Sequence, residues 1–119
     1  MKVLIVVNTA AIAERLKSLV DESVSNAVVY IATSYAQAYS MLAEKKPTIV
    51  FLTSGLPDDR SMVLLKMIKS GSPATIVLLL ADFSDLDTRE GYIKAGADYF
   101  LDQYMEFEKI PGIIALHQQ

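Results

Sequence analysis

The chain has 119 residues, 52% hydrophobic and 21% charged, with a formal net charge of −3 and no cysteine. That length supports one core and not two, so residues 1–119 are expected to form a single ordered domain. The acidic balance argues against direct nucleic-acid binding, which needs a basic patch; the absence of cysteine excludes disulfides and thiolate metal sites and fits a reducing, cytoplasmic setting.

Val3 to Val7 predicts a first strand. The apolar run ends at Asn8-Thr9, too soon for the core of a signal peptide, and no run approaches the length of a membrane span. Asn8 or Thr9 can cap a helix in which Ile12, Leu16, Leu19 and Val20 recur at helical spacing. Asn26 to Ile31 reads as the second strand. Ser34 with Gln37 makes a capping box for a helix through Ala38, Met41 and Leu42, closed by Lys45-Lys46-Pro47. Lys45-Lys46 reads as a solvated helix end.

Ile49 to Leu52 is a short apolar run bounded by turn residues, the pattern of a strand buried on both faces. It ends at Thr53. In an open α/β sheet the chemistry lies just beyond the carboxyl ends of such strands, which makes Thr53 the position to watch. Asp58 or Asp59 is expected to open the third helix, with Leu64, Leu65 and Ile68 inward and Ser70-Gly-Ser-Pro73 ending it. Thr75 to Leu80 is the fourth strand.

Ser84 with Asp87 can cap a fourth helix, whose pattern is weak. Only Leu86 and Ile93 share a face cleanly, and Gly91 costs on the order of 1 kcal/mol relative to alanine, so a short, mobile helix is expected. Gly96-Ala-Asp98 turns into a fifth strand near Tyr99 to Leu101. A last helix starts near Glu106, with Pro111 in or just after its first turn. Five strands alternating with five helices demand a parallel sheet with right-handed crossovers and helices on both faces.

Four segments, Val3-Leu-Ile-Val6, Ile49 to Thr53, Leu56-Pro-Asp58 and Ala95-Gly-Ala-Asp-Tyr-Phe-Leu101, together resemble the response-regulator receiver domains in order and spacing. The resemblance spans essentially the whole chain. It implies a (βα)5 flavodoxin-like fold, doubly wound, with strand order 2-1-3-4-5. In that family two acidic residues after the first strand hold Mg²⁺, and an aspartate closing the third accepts a phosphoryl group. A Ser or Thr ending the fourth strand and a Lys after the fifth then contact the phosphate. The matching positions here are Val7 and Asn8, Thr53, Leu80, and Gln103, with Tyr104 in place of the usual proline. The aromatic switch position is kept as Phe100.

Five substitutions in one pocket, none retaining charge, are the pattern of a degenerate member, a pseudo-receiver. Thr53 then reads as a β-branched strand end rather than a phosphoacceptor. Asp82 and Asp102 read as loop or capping acids rather than metal ligands, and His117 as a solvated tail residue. One histidine and no cysteine leave no nucleophilic constellation, and no phosphate-cradling glycine loop is present, so no enzyme and no cofactor or metal is expected.

Six of the ten aromatics fall between positions 83 and 107. In receivers the surface of helix four, strand five and helix five meets partner proteins or a second copy. Phe100 and Phe107 are expected in the core and Tyr99 half-buried, which leaves Phe83, Tyr92 and Tyr104 as candidate partner contacts. The expected function is a phosphorylation-independent interaction module in two-component-type signalling. The alternatives are a module binding a small ligand near Asn8, Thr53 and Gln103, or a receiver that is still phosphorylated. No direct nucleic-acid or membrane partner is expected.

Overall fold

Ile49–Thr53 (β3) is buried along its whole length on both faces, as a central strand with helices above and below must be. The computed structural model describes residues 1–81, 86–103 and 105–118, with Leu86 described by its backbone alone. Around β3 lie β1 (Lys2–Val6), β2 (Val28–Ala32), β4 (Ile76–Ala81) and β5 (Tyr99–Asp102). All pairings are parallel, in the order β2-β1-β3-β4-β5. The connecting helices are α1 (Ala10–Ser23), α2 (Tyr35–Lys45), α3 (Arg60–Gly71), α4 (Leu86–Lys94) and α5 (Ile110–His117). The doubly wound α/β architecture expected from the alternation is the one observed.

Side chains that alternate along the strands divide the core into two layers. Val3, Ile5, Phe51 and Leu78 pack with Leu16 and Val20 of α1 and with Ile110 and Ile114 of α5. Leu4, Val6, Val50 and Leu52 pack with Ala38 of α2 and with Leu64 and Leu65 of α3. Each fully buried aliphatic side chain contributes about 1.5–3 kcal/mol against the unfolded chain.

Local expectations are met in some places and corrected in others. The α1 cap is Thr9, one of the two residues expected, its Oγ1 accepting the Ile12 N–H at 3.4 Å. The Ser34 hydroxyl accepts the Gln37 N–H at 3.2 Å, but Gln37 reaches back to Thr33 N–H at 2.8 Å, one residue upstream of a standard capping box. Asp59 stands at the N-cap of α3, as expected, but its side chain makes no capping hydrogen bond. Asp58 and Asp59 both adopt left-handed backbone, φ 57° and 56°, around a 3₁₀ turn at Pro57–Asp59, a conformation short polar side chains tolerate. The buried Ser61 hydroxyl instead accepts the Leu56 N–H at 3.2 Å.

On α4 the expected inward residue Ile93 is 43% exposed, while Tyr92 turns onto the sheet; the Ser84 cap lies outside the described residues. His117 is not a free tail residue, because its Nε2 lies 2.8 Å from the Tyr99 hydroxyl. Nor is Lys45 simply solvated: its ammonium lies 5.3 Å from the centre of the Tyr30 ring.

The amino ends of β4 and β5 are tied by one lysine. Lys69 Nζ of α3 donates to Thr75 O at 2.6 Å and pairs with Asp98 Oδ2 at 2.7 Å, and the same carboxylate oxygen accepts the Val77 N–H at 2.8 Å. Gly96 lets the chain pass this clamp. Its φ is +112°, and a Cβ there would lie 2.8 Å from Lys69 Cγ.

Candidate functional site

At the carboxyl edge of the sheet, β1 and β3 are neighbours whose following helices, α1 and α3, belong to opposite layers. This is the switch point where doubly wound folds place their chemistry. Val7 and Thr53 extend the Val6–Leu52 pair by one residue, and Thr53 pairs directly with Leu80. The loops close over them: Asn8 Nδ2 donates to Gly55 O at 3.2 Å, and Ser54 N–H donates to Leu80 O at 2.9 Å.

Thr53 is fully buried, and its Oγ1 accepts the Gly55 N–H at 3.1 Å. Val7 and Leu80 belong to the core layer under α1 and α5. Gln103 is also buried, its N–H donating to Ala81 O at 3.1 Å just beyond the Ala81–Asp102 pair. The strand-end residues singled out from the sequence therefore lie side by side, but as packed neighbours. Asp102 is engaged within its own turn, Oδ1 accepting the Met105 N–H at 3.0 Å and its N–H donating to Glu106 Oε1 at 3.0 Å. Asp82 lies outside the described residues.

A second region lies on α4, β5 and α5. Phe100 is buried between the Tyr92 ring, 6.2 Å away centre to centre, and the Arg89 guanidinium, 5.8 Å from its centroid. Tyr92 is thus half-buried rather than free. Burial, and then the charge of Asp59, push its hydroxyl pKa above the usual phenol value. Beside it opens a cavity of about 320 Å³ bordered by Arg89, Ile93, Tyr99, Glu106, Lys109 and Ile113.

Glu106 and Lys109 form an ion pair on its edge. The Lys109 ammonium first, and the Asp102 N–H second, hold the Glu106 carboxyl below the ordinary carboxylate range. Phe107 is buried with the Arg15 guanidinium 4.4 Å over its ring. Phe83 and Tyr104, the other expected contacts, lie outside the described residues. A reading centred on aromatics missed Arg89 and Ile93; their four-residue spacing on α4 puts them on one helix face and was the available signal.

A five-stranded parallel sheet in this order, with helices on both faces, defines the flavodoxin-like doubly wound class. Residues 3–115 match the model of the response regulator receiver domain, and the chain belongs to that family. The fold is similar to the signal receiver domain of a DNA-binding response regulator from Colwellia psychrerythraea 34H, at 19% identity and a TM-score of 0.92, covering 98% of this chain and 96% of that one. It is also similar to a response regulator from Thermotoga maritima, at 20% identity and a TM-score of 0.85, covering 98% and 95%. A receiver domain protein from Clostridium thermocellum aligns at 22% identity and a TM-score of 0.85, covering 98% and 92%.

No curated protein matches the chain. The chain is therefore a receiver domain of the two-component response-regulator kind, a class of signalling module that works with other proteins. Among the described residues no helix is long and apolar enough to cross a membrane.

Proposed function

We propose that this receiver is a pseudo-receiver, a single cytoplasmic, non-enzymatic module of residues 1–119 that signals by protein contact without phosphorylation. The observation that carries the reading is Thr53. It stands where the family's phosphoacceptor aspartate would be, wholly buried, with its hydroxyl oxygen holding the Gly55 N–H and an apolar Leu80 paired beside it. The residues do not fit the family's Mg²⁺, a hard cation that wants several carboxylate oxygens. Val7 offers no side-chain donor atom, Asn8 only a neutral amide whose nitrogen donates to Gly55 O, and Gln103 no cationic partner for a phosphate. The alternative of a small ligand at the same crevice is disfavoured by the burial of Thr53 and Gln103.

Three experiments test the two halves of this reading. Millimolar Mg²⁺ with beryllofluoride should leave the amide shifts of residues 7–8 and 53–55 unchanged, and Thr53→Asp should not accept label from acetyl phosphate. Saturable shifts there, or labelling of the variant, would show a pocket still competent for Mg²⁺ and phosphoryl transfer and overturn the pseudo-receiver reading. Partner contact is assigned to the α4–β5–α5 face, around the cavity beside Ile93, with Tyr104 and Phe83 as the further contacts expected from the sequence. Ile93→Glu should keep the melting temperature and weaken self-association, or association with a captured partner, by about thirtyfold or more, as a hot-spot residue would. Unchanged association would place the contact on another face.

A further inference from the structure

Away from that face, at the amino ends of β3 and β4, α2 and α3 part around a cavity of about 540 Å³. The volume lies within the range of small-molecule sites. Leu42, Pro47, Met67 and Ile68 line it with apolar surface, and Tyr39 stands 52% exposed among the lining residues. The thioether of Met67 can adapt to the shape of a guest.

Lys46 is the one charged residue among those that line this cavity. Its neighbour in the fold, Lys69, is committed to Asp98, Thr75 and Pro73, whereas the Lys46 ammonium makes no hydrogen bond or ion pair among the described residues. Lys46 also occupies left-handed backbone, φ 48° and ψ 63°, where glycine or asparagine is the cheaper ending of a helix. A strained position is thus given to a residue whose charge is uncommitted and borders an apolar cavity.

We propose that this cavity binds a small amphipathic carboxylate, an aromatic or medium-chain acid. Its apolar body lies between α2 and α3, and its carboxylate meets Lys46 at the rim. The carbonyl ends of both helices come to this end of the fold and oppose an anion on their axes. Lys46 is itself the C-cap of α2, so its ammonium offsets the carbonyl ends beside it and meets the carboxylate at the exposed rim, where the ion pair is solvated. The site shares no lining residue with the cavity beside α4, so it stands or falls apart from the partner-face reading.

The test titrates 2-naphthoate and its neutral counterpart 2-naphthamide into the protein, followed by amide chemical shifts. The acid should give saturable shifts in residues 39–47 and 67–75 and bind roughly fivefold more tightly than the amide, the increment of a solvent-exposed ion pair. In Lys46→Gly, which relieves the backbone, that preference should vanish while the fold is kept. Lys46→Asn, which also tolerates the left-handed backbone, should behave the same way. Equal binding of acid and amide by the parent overturns the proposal. So do a preference that survives both substitutions, shifts confined to other residues, and shifts that never saturate.

Discussion

Val7→Asp places an acid at the position that the proposed reading matches to the family's first acidic residue, and the structure sets its cost. Val7 is 1% exposed, one residue past β1, in the core layer with Leu80, Phe107 and Ile110. Losing a fully buried valine surface removes about 1.5–3 kcal/mol of stabilisation. The two side chains are similar in volume, so little cavity term is added. The introduced carboxyl would replace a side chain packed among buried apolar residues, so burial raises its folded-state pKa above the unfolded value of about 3.9. Each unit of that rise costs about 1.4 kcal/mol once the pH exceeds the folded pKa.

Below about pH 4 both states hold the proton, and only the apolar loss of roughly 2 kcal/mol remains. As pH rises toward 7 the unfolded state ionises first and the penalty grows, to about 3–5 kcal/mol in total. Urea midpoints of Val7→Asp and Val7→Asn at pH 4 and pH 7 read this out, because asparagine carries no such pH term. A Val7→Asp variant as stable as the parent at pH 7 would refute the reasoning. So would one restored by millimolar Mg²⁺, since either result means a wet, ion-ready crevice rather than a packed one.

The two glycines near α4 should behave oppositely. Gly96→Ala forces a Cβ onto Lys69 at φ +112° and should cost about 1–3 kcal/mol, whereas Gly91→Ala, in open helix, should add about 0.5–1 kcal/mol; matching urea midpoints for the two would remove the clamp from the account. Tyr92 supplies a pH signature. Its raised pKa gives stability that is full below the unfolded value of about 10 and lost as pH climbs through the folded value, so Tyr92→Phe should flatten part of the alkaline decline in melting temperature. An identical alkaline profile in both proteins would mean the ring is not buried against Phe100. Tyr92→Ala, by contrast, should lower stability by about 2–4 kcal/mol, because the ring packs in the α4 layer; an unchanged midpoint would return Tyr92 to the free surface.

Much of this protein was legible in its residue order. The all-apolar run at 49–52 can only be a strand covered on both sides, and the helical periodicity of Leu16 with Val20, or Leu64 with Ile68, names the faces that bury. Those patterns depend on local geometry and on the aversion of apolar surface for water, both of which a sequence carries in full. The receiver family was readable too, from the order and spacing of its strand-end segments.

What the tertiary structure decided is where weak local signals compete. Of the two residues able to cap α1, Thr9 took that place while Asn8 bonds Gly55, forty-seven residues along the chain. Tyr92 and Ile93 exchanged their expected roles because α4 has no strong apolar stripe, so the Phe100 ring decided which side chain turned inward. His117 found Tyr99 across eighteen residues, and Lys46 came to border a cavity formed by two helices distant in sequence. Contacts of that kind are set by which surfaces meet after the sheet closes. No propensity or spacing within one segment encodes them.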